Sequence, residues 1–190
     1  MRYDLKQKSD NELMDAFSKC SSEAFEEIMN RYKKRLFNYL LCGLISNRQE
    51  AEDIVQETFI RAFKSKFTYR FTYQFSTWIY TICRNLALNV KRNGKYSRTN
   101  TIENEEEYGN EAKNFSRSME ENEISDIMKE SLLKLDKKYK DIIVLRYLEG
   151  LSYEEISKVT GIGQNTLKSQ CKRGIEQIRR EMESKKIEMY

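Results

Sequence analysis

The chain has 190 residues, 39% of them hydrophobic and 34% charged, with a net charge of +4, no proline and no histidine. That length suits one ordinary domain or two small ones, and the missing histidine excludes imidazole bases, the usual catalytic triads and His-containing zinc sites. Apolar residues recur at three and four rather than at two, so the expected fold class is all-α.

In chain order, the N-terminal stretch Met1–Phe17 is too polar for a signal peptide. No apolar run approaches the ~20 residues of a membrane span, so no membrane insertion and a cytoplasmic location are expected. A helix over Ala24–Leu44 carries Phe25, Ile28, Met29, Tyr32, Leu36, Tyr39 and Leu40 on its apolar side, and Ser46-Asn47 breaks it. The next helix aligns Ala51, Ile54, Val55, Thr58, Phe59, Ala62 and Phe63 in one stripe. Its opposite face shows Asp53, Gln56 and Glu57 at i, i+3 and i+4, with Glu52 at the edge. A further helix, Phe75–Arg92, turns Phe75, Ile79, Ile82, Leu86 and Val90 inward.

Asn93–Glu123 breaks this pattern. It holds eight glutamates against Lys95, Arg98, Lys113 and Arg117, and its few apolar residues have no period. Such a segment buries little and reads as a flexible acidic linker. The flanking parts then share a charge of +8, as expected where they meet a polyanion and the middle does not. Solvated helix faces would give the same count.

Two helical patterns follow, Ile124–Leu135 and Lys137–Leu148, with Gly150 placed to end the second in a left-handed conformation. Ser152 and Glu155 form a capping box, and Leu151 and Ile156 stand at the hydrophobic staple positions. That short helix stops near Gly161, and the last helix lines Leu167, Cys171, Ile175, Ile178 and Met182 along its inside. Two helices joined by a tight glycine turn make a helix-turn-helix. The outer face of the last one presents Asn165, Ser169, Lys172 and Arg173, flanked by Thr166 and Lys168. Amides and hydroxyls suit base edges in a major groove, and cations suit phosphates or guanine. Cys20, Cys42, Cys83 and Cys171 are far apart and form no CxxC pair, so reduced, mostly buried thiols and no metal or cofactor are expected.

These segments carry a resemblance. "SYEEISKVTGIGQNTLKSQCKRG" (Ser152–Gly174) resembles the C-terminal helix-turn-helix of bacterial RNA polymerase sigma factors of the sigma-70 family, in the extracytoplasmic-function (ECF) group. "LDKKYKDIIVLRYLEGL" resembles the helix pair before it, "AEDIVQETFIRAF" a segment of region 2, and "FSTWIYTICRNLALNVKR" the promoter-melting helix. The likeness spans Ala24–Arg92 and Ile124–Met182, four segments in the family's order.

The resemblance implies two small helical domains: residues 1–92 for core-polymerase docking and the −10 element, and residues 124–190 for the −35 element, with the linker at 93–123. It implies that Asp53, Gln56, Glu57 and Glu52 dock on the coiled-coil clamp of the polymerase. It assigns Trp78, Tyr80, Arg84, Asn85, Lys91 and Arg92 to the melted −10 strand, and Asn165, Thr166, Lys168, Ser169, Lys172 and Arg173 to the −35 duplex. For Trp78, packing in the core and contact with DNA are equally weighted. The loop Phe71-Thr72-Tyr73-Gln74 would capture an extruded base, and the linker glutamates would imitate nucleic acid.

The partners implied are core RNA polymerase, promoter DNA and a separate anti-sigma factor. No cofactor and no enzymatic chemistry are expected. A dimeric helix-turn-helix regulator is the rival reading. It accounts for Leu151–Arg180 but not for the acidic face or for the aromatic and basic residues interleaved from Phe63 to Arg84.

Overall fold

The computed structural model describes residues 5–97 and 131–188, apart from 68, 70–73 and 133. Every regular element among them is helical. A 3₁₀ turn (Leu5–Gln7) leads to α1 (Asp10–Ser18), α2 (Ser22–Leu41), α3 (Arg48–Lys64) and α4 (Phe75–Ser97). The second half holds α5 (Lys137–Ile143), a π-helical turn (Val144–Leu148), α6 (Tyr153–Thr160) and α7 (Gln164–Glu188).

The periodicity did not predict α1, yet its start is written locally. Ser9 and Glu12 exchange hydrogen bonds in a capping box, and Leu13, Met14 and Phe17 sink into the core. Arg31 of α2 fixes the strand of backbone ahead of it, donating to the carbonyls of Leu5, Lys6 and Lys8 at 2.8–3.1 Å and to Asp10 at 2.9 Å. Asn47, at the foreseen break, caps α3 by accepting from the N–H groups of Gln49 and Glu50.

Most of the expected stripe residues are buried; Ile82, Val90, Ile175 and Met182 are half-buried, and two are exposed. Met29 is 37% exposed, and Phe63 is 50% exposed although its ring leans on Phe17 and Phe25. The helix expected to end at Arg92 continues through Ser97, into the segment assigned to the linker from its charge. With no proline there, nothing stops the backbone ladder at that charge boundary. The rest of the linker, and the loop residues Phe71, Thr72 and Tyr73, lie outside the described residues. So does most of the expected helix Ile124–Leu135, although its Leu132 and Leu135 are described and buried.

The two halves share one buried apolar cluster, and α4 packs against both α3 and α6. Polar bonds cross between them. Asp141 of α5 accepts from the Tyr39 hydroxyl at 2.7 Å and from Arg84 Nε at 2.9 Å. Glu149, just past the π-helical turn, takes Arg35 Nε at 2.8 Å, and the Thr77 hydroxyl meets Glu155 at 3.2 Å. The approach is close enough that a Cβ on Gly43 would stand 3.0 Å from Cβ of Lys140.

Candidate nucleic-acid interface

The turn into α7 is set by short-range chemistry. Ser152 and Glu155 form the foreseen capping box, with Leu151 and Ile156 buried on either side of it. Gly150 and Gly161 adopt φ of 74° and 75°, the left-handed region that glycine enters without a Cβ penalty. The Gly163 carbonyl accepts from Leu167 N–H at 3.0 Å, so α7 begins without a side-chain acceptor. Leu167 and Cys171 are buried, and Gly174 lies so close to α5 that a Cβ there would meet Tyr139 and Ile143 at 3.1 Å.

That packing fixes which face of α7 looks outward. Asn165, Thr166, Lys168, Ser169, Lys172 and Arg173 are all exposed, within the first three turns. An amide, two hydroxyls and three cations there form the surface a recognition helix carries into a major groove.

The acidic face of α3 is likewise outside. Asp53 and Gln56 are exposed, while Glu52 and Glu57 are half-exposed and paired with Arg48 at 3.1 Å and Arg61 at 2.8 Å. Sequence reasoning missed what lies beyond them. Ile60, Phe63 and Phe67 are 46%, 50% and 76% exposed and continue the surface toward the C-terminal end of α3. Ile60 follows Asp53 and Gln56 at i+7 and i+4, a spacing that could have revealed it. An acidic patch beside exposed apolar side chains suits a protein partner better than a phosphate backbone.

On α4 the expected residues separate. Trp78 is half-buried: its ring packs on Tyr69 and Phe75 at 5.0 and 5.7 Å, and it also lines a groove of about 380 Å³. The other walls are Arg61, Lys64, Ser65, Ile82 and the exposed Asn85. Two cations, an amide, a hydroxyl and an indole are a chemistry that holds an unpaired base and its backbone. Lys64 and Ser65 fall in the aromatic and basic stretch from Phe63 to Arg84 noted in the sequence, whereas Arg61 was not singled out, because that part of α3 had been read for its acidic face.

Tyr80 departs from expectation. It is 0% exposed, edge-on to Tyr39 at 5.2 Å and Tyr32 at 6.5 Å, so in this structure no base reaches it. Burial pushes its phenol well above the ordinary range, and the nearby Glu149 carboxylate adds to the shift. Arg84, expected on DNA, is held by Asp141, and both side chains are under 15% exposed. Lys91 is half-exposed, and the exposed Arg92 donates to Asn89. Burial also pushes the Cys83 thiol up to about 12 and that of Cys42 still higher, which keeps both protonated and unreactive. Among the described residues no group of His, Cys, Asp or Glu could hold a metal, and no helix is long and apolar enough to cross a membrane.

Comparison with known proteins bears on both halves. Residues 28–96 match the family model described as Sigma-70 region 2, and residues 125–178 match the one described as Sigma-70, region 4. The ECF RNA polymerase sigma factor SigW of Bacillus subtilis (strain 168) is 32% identical over 176 residues, covering 86% of this chain and 91% of that protein. Two solved structures share the fold. CnrH, in complex with the cytosolic domain of CnrY, superposes with a TM-score of 0.66 at 19% identity, over 93% of this chain and 99% of that one. The sigma factor RpoE in complex with the anti-sigma factor NepR, from Bartonella quintana, gives 0.64 at 20% identity, over 84% and 96%.

Proposed function

This chain belongs to the ECF group of RNA polymerase sigma factors, and from that membership we propose how its surfaces divide the work. As a sigma factor it binds core RNA polymerase and directs promoter recognition and DNA melting at initiation. In the proposed division, residues 1–92 dock on the polymerase and hold the melted −10 strand, and residues 124–190 read the −35 duplex across the linker 93–123.

Asp53, Gln56, Glu57 and Glu52 form the polar part of the docking face, extended by the apolar Ile60 and Phe63. The groove around Trp78 and Asn85 receives an unpaired base, with Arg61 and Lys64 beside it for the backbone. Asn165, Thr166, Lys168, Ser169, Lys172 and Arg173 meet the duplex. The chain acts in the cytoplasm and performs no covalent chemistry itself. Binding free energy offsets the unpairing of bases, and the polymerase adds nucleotides. A separate anti-sigma factor is a further partner, by analogy with the solved complex of RpoE with NepR.

The observation that carries this reading is the outward face of α7, six polar and basic residues exposed opposite a buried Leu167 and Cys171. A gel-shift on duplex promoter DNA tests it. A sigma factor shifts its promoter tightly only with core polymerase, whereas a dimeric helix-turn-helix regulator shifts it unaided.

A further inference from the structure

Resting on the reading of the groove around Trp78 as the −10 site, we propose that Asn11 of α1 is a positioning residue for that site, acting through the hydroxyl of Tyr69. Tyr69 packs against Trp78 with ring centroids 5.0 Å apart. The other ring on Trp78, Phe75 at 5.7 Å, sits one turn earlier on the same helix and moves with it. Tyr69 is therefore the aromatic contact that reaches Trp78 from outside α4. Its backbone N–H donates to the carbonyl of Ser65 at 3.2 Å, and Ser65 is itself a wall of the groove. One residue is thus tied to the end of α3 through its backbone and to α4 through its ring.

Tyr69 in turn is placed by α1. It is only 7% exposed, and its hydroxyl donates to Asn11 Oδ1 at 2.9 Å. Burial pushes its phenol up to about 12, with the Asp10 carboxylate adding to the shift, so at neutral pH the hydroxyl keeps its proton and stays a donor. A buried hydroxyl without an acceptor is costly, so the ring settles where Asn11 offers one. That acceptor is itself fixed. Ser9 and Glu12 close their capping box around it, and the neighbouring Asp10 accepts from Arg31 at 2.9 Å and from the Tyr32 hydroxyl. A binding site needs its groups held to about 0.5 Å, which takes supporting residues whose own conformations are locked. Asn11 and Tyr69 supply that support to Trp78, although the groove is walled by α3, α4 and Ser65 and not by α1.

Trp78 is the chain's only tryptophan, so its fluorescence reports this placement directly. In the free full-length chain, Asn11→Ala and Tyr69→Phe should each red-shift that emission while far-UV circular dichroism stays unchanged. Bound to core polymerase, each variant should hold a single-stranded −10 oligonucleotide about three- to tenfold more weakly, the usual scale of one lost hydrogen bond. The double variant should lose no more than the weaker-binding single one, because both changes break the same bond. In a Trp78→Ala background, Asn11→Ala should add nothing further. Binding of a duplex that carries only the −35 element should match wild type throughout.

Wild-type oligonucleotide affinity and unshifted emission in both single variants, with a lowered urea midpoint as the sole change, would overturn the proposal and leave the hydrogen bond a contact of the fold alone. Losses that add in the double variant, or that persist in full in the Trp78→Ala background, would overturn it too. Failure of the −10 reading would look different and would remove the premise: Trp78→Ala itself would then bind the oligonucleotide as tightly as wild type.

Discussion

Tyr80 and Trp78 stand two residues apart on α4, and the structure predicts opposite outcomes when each is cut to alanine. Tyr80 is wholly buried and meets Tyr39 and Tyr32 edge-on. Removing a core ring costs about 3–5 kcal/mol, a large part of the roughly 5–15 kcal/mol that holds a domain folded. Trp78 is half-buried and lines the groove beside Asn85, so its loss removes part of a packing contact and one base–aromatic stack. A stack is worth about 1–3 kcal/mol, or roughly ten- to hundredfold in the rate of strand opening. Urea denaturation of the free chain reads the first effect. Permanganate reactivity of −10 thymines, on fully paired and on mismatched templates, reads the second. Tyr80→Ala should lower the urea midpoint sharply and show the same defect on both templates. Trp78→Ala should be impaired on paired DNA and largely restored on the mismatched template, where the unpairing cost is gone. A Tyr80→Ala chain with the wild-type midpoint that opened only paired DNA slowly would refute this reasoning.

Three further outcomes are expected. Asp53→Lys with Glu57→Lys should abolish co-purification with core polymerase at unchanged helicity, and wild-type binding would remove the docking assignment. Lys172→Ala and Arg173→Ala should each weaken −35 binding with a shallower salt dependence, while Asn165→Ala should shift base preference by about 1–3 kcal/mol at one position, all read by salt-resolved gel-shifts. Tyr39 and Tyr80 have phenols raised by burial, so the fold favours their neutral form. Their contribution is fully present below the unfolded tyrosine value of about 10 and is lost as pH rises above it, so this share of the stability should fall on the alkaline side. Tyrosinate absorbance should then rise together with loss of helical signal, and independent titration of all tyrosines near 10 would contradict this.

What could be read from the sequence was whatever short-range chemistry decides. Ser152 and Glu155 are three residues apart, Gly150 and Gly161 need no distant partner to adopt positive φ, and the Leu167, Cys171 and Ile178 spacing orients α7 by itself. The outward polar and basic face of α7 followed directly from that orientation. Tyr80 was misjudged because its burial is not local. It lies one position from the Phe75–Ile79 stripe and would edge the surface of a helix covered on one side. Here the tyrosines of α2 and Glu149 from the other half close over it. Arg84 was read as a DNA contact for the same reason, since nothing near it in sequence announces Asp141. The groove needed α3 and α4 together, and the stripe on each helix alone could not bring Lys64 next to Asn85.

As a sigma factor, this chain makes core polymerase open DNA at a promoter. Permanganate footprinting of a cognate promoter with core polymerase, with and without the chain, measures that most directly. Reactive thymines confined to −10 should appear only when both proteins are present, and should be lost when Asp53→Lys and Glu57→Lys are combined. Reactivity without the chain, or a chain that protects the −35 duplex and leaves −10 unreactive with polymerase bound, would contradict it.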